Sequence, residues 1–167
     1  MKVIDIFDCN YTEDKKYGFI RNAARAVIRD KGKLFVEYAS TPKMLMLPGG
    51  GVENCENYDE CVVRECKEEC GIAVKPVKKL FAIREYYHEM IFYSVYILCE
   101  IIGESEKSLT DNEKSLNMIC DWQDCKVLER QLSELMDEYK DVDEELYGCH
   151  KREYIAIKEI TKILNIQ

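Results

Sequence analysis

The chain has 167 residues, 47% hydrophobic and 34% charged, with a formal net charge of -8. That length suits one domain, residues 1–167, able to bury most of its apolar surface without staples. The acidic balance argues against a grip on a nucleic-acid duplex, which needs clustered Lys and Arg; a small anionic substrate stays open if a metal neutralises it locally.

At the N-terminus, Met1-Lys2-Val3-Ile4-Asp5 meets an acid too early for a secretory leader. No uncharged run approaches the ~18 residues of a membrane span. A cytoplasmic protein that does not enter a membrane is therefore expected. The nine cysteines include no CxxC pair and read as reduced, mostly buried small hydrophobes. Cys61, Cys66 and Cys70 share a helical stretch but lack the ligand-pair spacing of a zinc site.

In chain order, 19–28 and 33–38 read as strands joined across the turn chemistry of Asp30-Lys31-Gly32. Met44 to Leu47 is a short apolar run that feeds Pro48 and three glycines. Asn57 with Glu60 three residues on has capping-box spacing, and Gly71 suits a helix stop, so a helix is expected between them. Residues 77–85 and 91–102 read as two paired strands with Tyr86-Tyr87-His88-Glu89-Met90 at their connection, and 115–122 as a further strand. Beyond Trp122 the period turns helical: Val127, Leu128, Leu132 and Leu135 form one stripe, and Tyr154, Ile155, Ile157, Ile160, Ile163 and Leu164 another. The acidic run 134–145 reads as solvated surface and loop. Strands interleaved with helices, without regular βαβ alternation, predict a mixed sheet covered by helices.

Residues 50–72 are unlike the rest: GGVENCENYDECVVRECKEECGI. Three glutamates crowd one helical stretch, although like charges three and four residues apart repel. A divalent cation between them would supply the reason. With Val62 at zero and about 100° per residue, Cys66 and Cys70 fall on the core stripe at about +40° and +80°. Glu69, Glu65 and Glu68 then form one strip beside it, at about -20°, -60° and -120°, and Arg64 falls on the far side near about +200°. Mg²⁺, with Mn²⁺ as a substitute, suits carboxylates plus a backbone carbonyl, the remaining positions being left to water and phosphate.

The spacing Gly50, Glu56, Arg64-Glu65, Glu68-Glu69, Gly71, with Cys66 and Ile72 in the apolar slots, resembles position for position the signature of the Nudix hydrolases, MutT-like enzymes. A chance match of those identities is on the order of one in ten million per starting position. The resemblance implies an α/β/α sandwich with a mixed sheet and a loop-helix-loop catalytic motif. It implies that Glu65 and Glu69 are the principal metal ligands, with the Gly49 carbonyl beside them and Glu68 as a further ligand or the base. Arg64 and Glu56 would hold loop and helix together, Gly50 and Gly71 shaping the motif's ends. Where many relatives have a glycine before that glutamate, this chain has Cys55.

The reaction implied is hydrolysis of a nucleoside diphosphate linked to a group X, water attacking phosphorus. An acid from a later loop often completes such sites; Glu113 is the candidate, with Asp111 its neighbour. Tyr86, Tyr87 and His88 can stack on or hydrogen-bond a base, or simply form a strand end with a wet edge. Arg21, Arg25 and Arg84 stand where each can reach a phosphate or serve as an exposed solubilising charge. His150 has no visible partner and reads as a surface residue. The leading expectation is a nucleoside triphosphate pyrophosphohydrolase. The alternatives are a hydrolase of nucleotide sugars or other diphosphate conjugates, and a Nudix domain that senses a nucleotide without cleaving it. Monomer and homodimer both stay open.

Overall fold

The computed structural model describes residues 1–7, 11, 12, 15–109 and 111–166, the side chains of 112 and 113 excepted. The strands are β1 (Lys2–Phe7), β2 (Phe19–Val27), β3 (Arg29–Asp30), β4 (Lys33–Ser40), β5 (Lys43–Met46), β6 (Ile72–Tyr87), β7 (Met90–Glu104) and β8 (Ile119–Asp124). The helices are α1 (Tyr58–Glu65), which continues as a π-helical turn over Cys66–Cys70, α2 (Asp111–Leu116), α3 (Cys125–Tyr139) and α4 (Glu144–Leu164).

One sheet runs β1-β6-β7-β2, with β1 parallel to β6, β6 antiparallel to β7, and β7 parallel to β2. It is mixed, as expected. The other centres on β4, which pairs antiparallel with β3, β5 and β8. Strand periodicity separates the two faces of the core. Phe81 and Ile83 of β6, Tyr96 of β7 and Leu34 and Val36 of β4 join a cluster with Leu128, Leu132, Ile157 and Ile160 from α3 and α4. Their neighbours Ala82, Val95, Ile97 and Phe35 join the opposite cluster, with Cys61, Val62, Cys66 and Cys70 from α1 and its π turn.

Three local expectations change, and one strand, β1, is unforeseen. The strands β6 and β7 run further than their apolar stretches because Pro76 is absorbed at a register shift, where a missing N–H costs no regular ladder bond. Ser115 and Leu116 are helical, ahead of the left-handed Asn117 (φ 49°), so the following strand starts only at Ile119. β1 has too little apolar alternation to be foreseen; its register comes from parallel pairing with β6. His150 is wholly buried, its ring 5.6 Å from that of Tyr139. The reason is that α4 begins at Glu144, which puts His150 on the same inward face as Glu153 and Ile157. Eight cysteines are described as free thiols, five of them buried; Cys9 lies outside the described residues. Among the described residues no helix is long and apolar enough to cross a membrane.

Candidate active site

The turn at Pro48 to Val52 runs along the edge of β2. Backbone N–H groups of Ala26 and Ala24 donate to the carbonyls of Pro48 (2.8 Å) and Gly50 (3.0 Å), and Val52 donates to Asn22 (2.9 Å). Two glycines are required there by close approach. Gly49 has φ 135°, and a Cβ on it would collide with the Ala24 carbonyl; a Cβ on Gly50 would collide with the Glu65 carboxylate. The turn is thus pressed between β2 and the end of α1.

The α1 helix starts as its sequence predicts. The Asn57 side chain accepts from the N–H groups of Asp59 and Glu60, and Glu60 accepts from the N–H of Asn57, a complete capping box. At the other end Gly71 adopts the left-handed conformation (φ 70°). Between Cys66 and Cys70 the turn is π-helical, a widening often found at functional sites. The count of about 100° per residue therefore holds only as far as Cys66.

Glu65 is 8% exposed, and burial raises its pKa against the lowering effect of Arg64. The Glu69 carboxylate reaches back to the turn, accepting from the N–H of Gly49 (3.4 Å). Its pKa is raised by burial first and then by the charges of Glu37 and Glu65. Glu37 on β4, 1% exposed, is raised for the same leading reason. Two buried acids and the half-buried Glu69 set beside one another favour protons or a cation.

Arg64 does more than its expected place on the far side suggests. It forms a fork on Glu56 (3.1 and 2.7 Å) and donates to the Gly51 carbonyl (3.1 Å). It also pairs with Glu65 (2.9 Å) and Glu68 (3.1 Å), whose side chain is 39% exposed. The Arg64 fork holds the Glu56 carboxyl down to about 2. Cys55, just before Glu56, takes a left-handed φ of 72°.

Arg25 turns inward. Its Nη1 donates to the carbonyls of Gly49 and Leu47, the latter at 3.3 Å. Its charge acts on Glu37, Glu65 and Glu69 alike, beside Arg64, which pairs directly with Glu65. A cleft of about 370 Å³ adjoins the turn, lined among others by Arg21, Arg25, Met46, Glu85, Tyr87 and Phe92. Tyr87 thus reaches the cleft. Tyr86 instead packs 5.1 Å from Phe7 and lines a neighbouring cavity of about 590 Å³; none of Glu65, Glu68 and Glu69 lines either space, and Gly50 and Gly51 join the smaller cleft to the turn. Arg84 lies apart from both: it pairs with Asp5 (2.6 Å), its register partner on β1. His88 is at the β6–β7 turn, 3.5 Å from Glu144. The Glu113 side chain lies outside the described residues; Asp111 is paired with Lys114 (3.3 Å).

The donor set fits a hard divalent cation. Glu65 and Glu69 offer carboxylate oxygens at the turn, Glu68 stands at the exposed end, and the Gly49 carbonyl retains a second lone pair beside its bond from Arg25. Burial, more than any neighbouring charge, raises the pKa of Glu65 and of Glu69, against the lowering effect of Arg64 and Arg25. Sequence reasoning missed Glu37, although a lone acid in the apolar run Leu34-Phe35-Val36 was a signal. It also missed Glu85, buried with Arg152 (3.3 Å) at the cleft wall.

A model of the NUDIX domain family matches residues 19–154. Among solved structures, a NUDIX hydrolase from Nitrosomonas europaea superposes with TM-score 0.58 at 15% identity, covering 81% of this chain and 88% of that one. The E. coli ORF135 protein gives 0.55 at 16% identity, covering 72% and 83% respectively. A MutT NUDIX hydrolase from Burkholderia pseudomallei gives 0.52 at 21% identity, covering 64% and 84%. These likenesses concern the fold. No curated protein matches the chain in sequence.

Proposed function

The chain belongs to the Nudix family of pyrophosphohydrolases, and on that premise we propose that it hydrolyses a pyrophosphate linkage in a nucleotide-type substrate with Mg²⁺. The observation that carries the proposal is the placing of the buried Glu65 and the half-buried Glu69 against the Gly49-Gly50 turn, Gly49 N–H donating to Glu69 and Gly50 lying against the Glu65 carboxylate. Glu65, Glu69 and the Gly49 carbonyl are the proposed ligands, with Glu68 at the open edge. A divalent cation bound there supplies charge stabilisation at phosphate oxygens and eases deprotonation of water.

The chain's own groups have the following proposed tasks. Glu68, more exposed than its neighbours and oriented by Arg64, takes the proton of the attacking water. A phosphorus–oxygen bond forms to that water as the bridging phosphorus–oxygen bond breaks. Arg21 and Arg25, on the cleft wall, balance the charge of the phosphates. Tyr87 and Phe92 offer aromatic faces to a base. A nucleoside triphosphate is the proposed substrate, held in the cleft of about 370 Å³ that shares Glu85, Tyr87 and Gly148 with the adjoining cavity.

The test follows phosphate and pyrophosphate release across nucleoside triphosphates and nucleotide sugars, with Mg²⁺ and with EDTA. Mg²⁺-dependent release that falls at least about 100-fold in Glu69→Gln is expected. Undiminished release by that variant refutes the ligand assignment. No metal-dependent release on the whole panel favours a nucleotide sensor instead.

A further inference from the structure

Behind the proposed catalytic carboxylates lies a second cluster of different chemistry. Glu37 and Cys120 are register partners on β4 and β8, so their side chains are neighbours across the strand pair. Cys70, the last residue of the π turn, completes the group: its thiol donates to Glu37 Oε1 at 3.0 Å. One ligand atom from each of the three lies within 4.8 Å of the others.

Glu37 supplies the second observation. It is 1% exposed, and its other oxygen, Oε2, is buried and accepts from no donor among the described residues, while the Glu69 side chain stands against the same carboxyl. A buried carboxylate oxygen that finds no donor calls for a cation or a proton. The identity of the neighbours separates these. Two sulfurs and one carboxylate form a soft, mixed donor set suited to zinc, unlike the all-oxygen set at Glu65 and Glu69.

We propose that Glu37, Cys70 and Cys120 form a zinc site that ties the π turn to β4 and β8. Zn–S distances of about 2.3 Å and Zn–O distances of about 2.0–2.2 Å put ligand atoms ~3.5–3.8 Å apart in a tetrahedral shell. Small side-chain rotations reach that from separations within 4.8 Å. Charge also closes. Two thiolates and a carboxylate carry three negative charges against the ion's two positive ones, and Lys107 Nζ stands 3.9 Å from Cys120 Sγ to offset the remainder. The thiol protons leave to solvent as the metal binds. Cys120 is half-exposed and gives the ion a way in, and its Sγ lies 4.0 Å from the Glu69 carbonyl. An ion there would brace the backbone that carries Glu69. The fourth coordination position is left to water.

Cobalt distinguishes this site from the carboxylate site, because only sulfur ligands give thiolate-to-cobalt charge-transfer absorption in the near ultraviolet. The full chain, kept reduced, stripped with chelator and held in excess Mg²⁺, is titrated with Co²⁺ and then with Zn²⁺. Thiolate bands that saturate at one equivalent of Co²⁺ and vanish as Zn²⁺ displaces it are expected. In the double variant Cys70→Ser/Cys120→Ser the bands should be lost, while far-UV circular dichroism and any Mg²⁺-dependent hydrolysis persist. Cobalt binding without thiolate bands overturns the proposal, as do bands that survive the double substitution. If that variant does not fold, the wild-type titration decides alone, since absent bands overturn the site. Hydrolysis and sulfur ligation are separate readouts, so the failure of one leaves the other standing.

Discussion

Replacing Glu56 by Gln removes one negative charge and almost no volume from the clamp between the turn and α1. In the native protein the carboxylate accepts from Arg64 Nε and Nη2 (3.1 and 2.7 Å) and from the N–H of Glu53 (2.7 Å). A glutamine has one acceptor for those three donors and points an NH₂ at the rest. The side chains of Glu56 and Arg64 are 14% and 24% exposed, between the surface and the interior. An exposed pair is worth up to ~1 kcal/mol, and breaking a buried one costs ~3–5 kcal/mol. The expected loss is therefore about 2 kcal/mol at pH 7. With an m-value of about 2 kcal/mol/M, the urea midpoint should fall by about 1 M. The pH dependence gives a second check. The folded carboxyl is depressed from 4.5 to about 2, so its contribution is present above about pH 4.5 and is lost as pH falls through about 2. The gap between wild type and Glu56→Gln should hold constant from pH 7 to about pH 5 and narrow below that. A midpoint shift under about 0.3 M, or a gap that does not narrow in acid, would refute the assignment of this clamp.

The two turn glycines should separate stability from activity. Gly49→Ala meets backbone at φ 135° and should lower stability by more than ~2 kcal/mol in thermal unfolding. Gly50→Ala meets first the end of the Glu65 side chain rather than backbone, so it should keep most of its stability yet lose about 100-fold in metal-dependent hydrolysis. Cys55→Gly relieves a left-handed cysteine (φ 72°) and should stabilise by about 0.5–1 kcal/mol in urea titration; destabilisation would contradict that conformation. Arg152→Ala strips the guanidinium from two buried acids, Glu85 (3.3 Å) and Glu153 (3.4 Å), and should cost ~3–5 kcal/mol by the same assay. A cost under about 1 kcal/mol would show that the two acids are relieved another way.

What the amino-acid sequence determined alone was local or strictly spaced. Asn57, Glu60 and Gly71 act within a turn of the backbone they cap, so the helix ends were legible from residue types. The alternation in β2, β4, β6 and β7 needed only the period of a strand, and the signature glutamates needed only their spacing. Tertiary structure decided what depends on distant partners. It paired Arg84 with Asp5 across two strands, away from the cleft, and turned Arg25 inward onto the Gly49 carbonyl. It buried His150 by starting α4 earlier, and it set Glu37 opposite Cys120 through the β4–β8 register. The physical reason is common to these cases. Burial and charge pairing depend on which side chains long-range packing brings within a few ångströms, and no spacing along one segment specifies that.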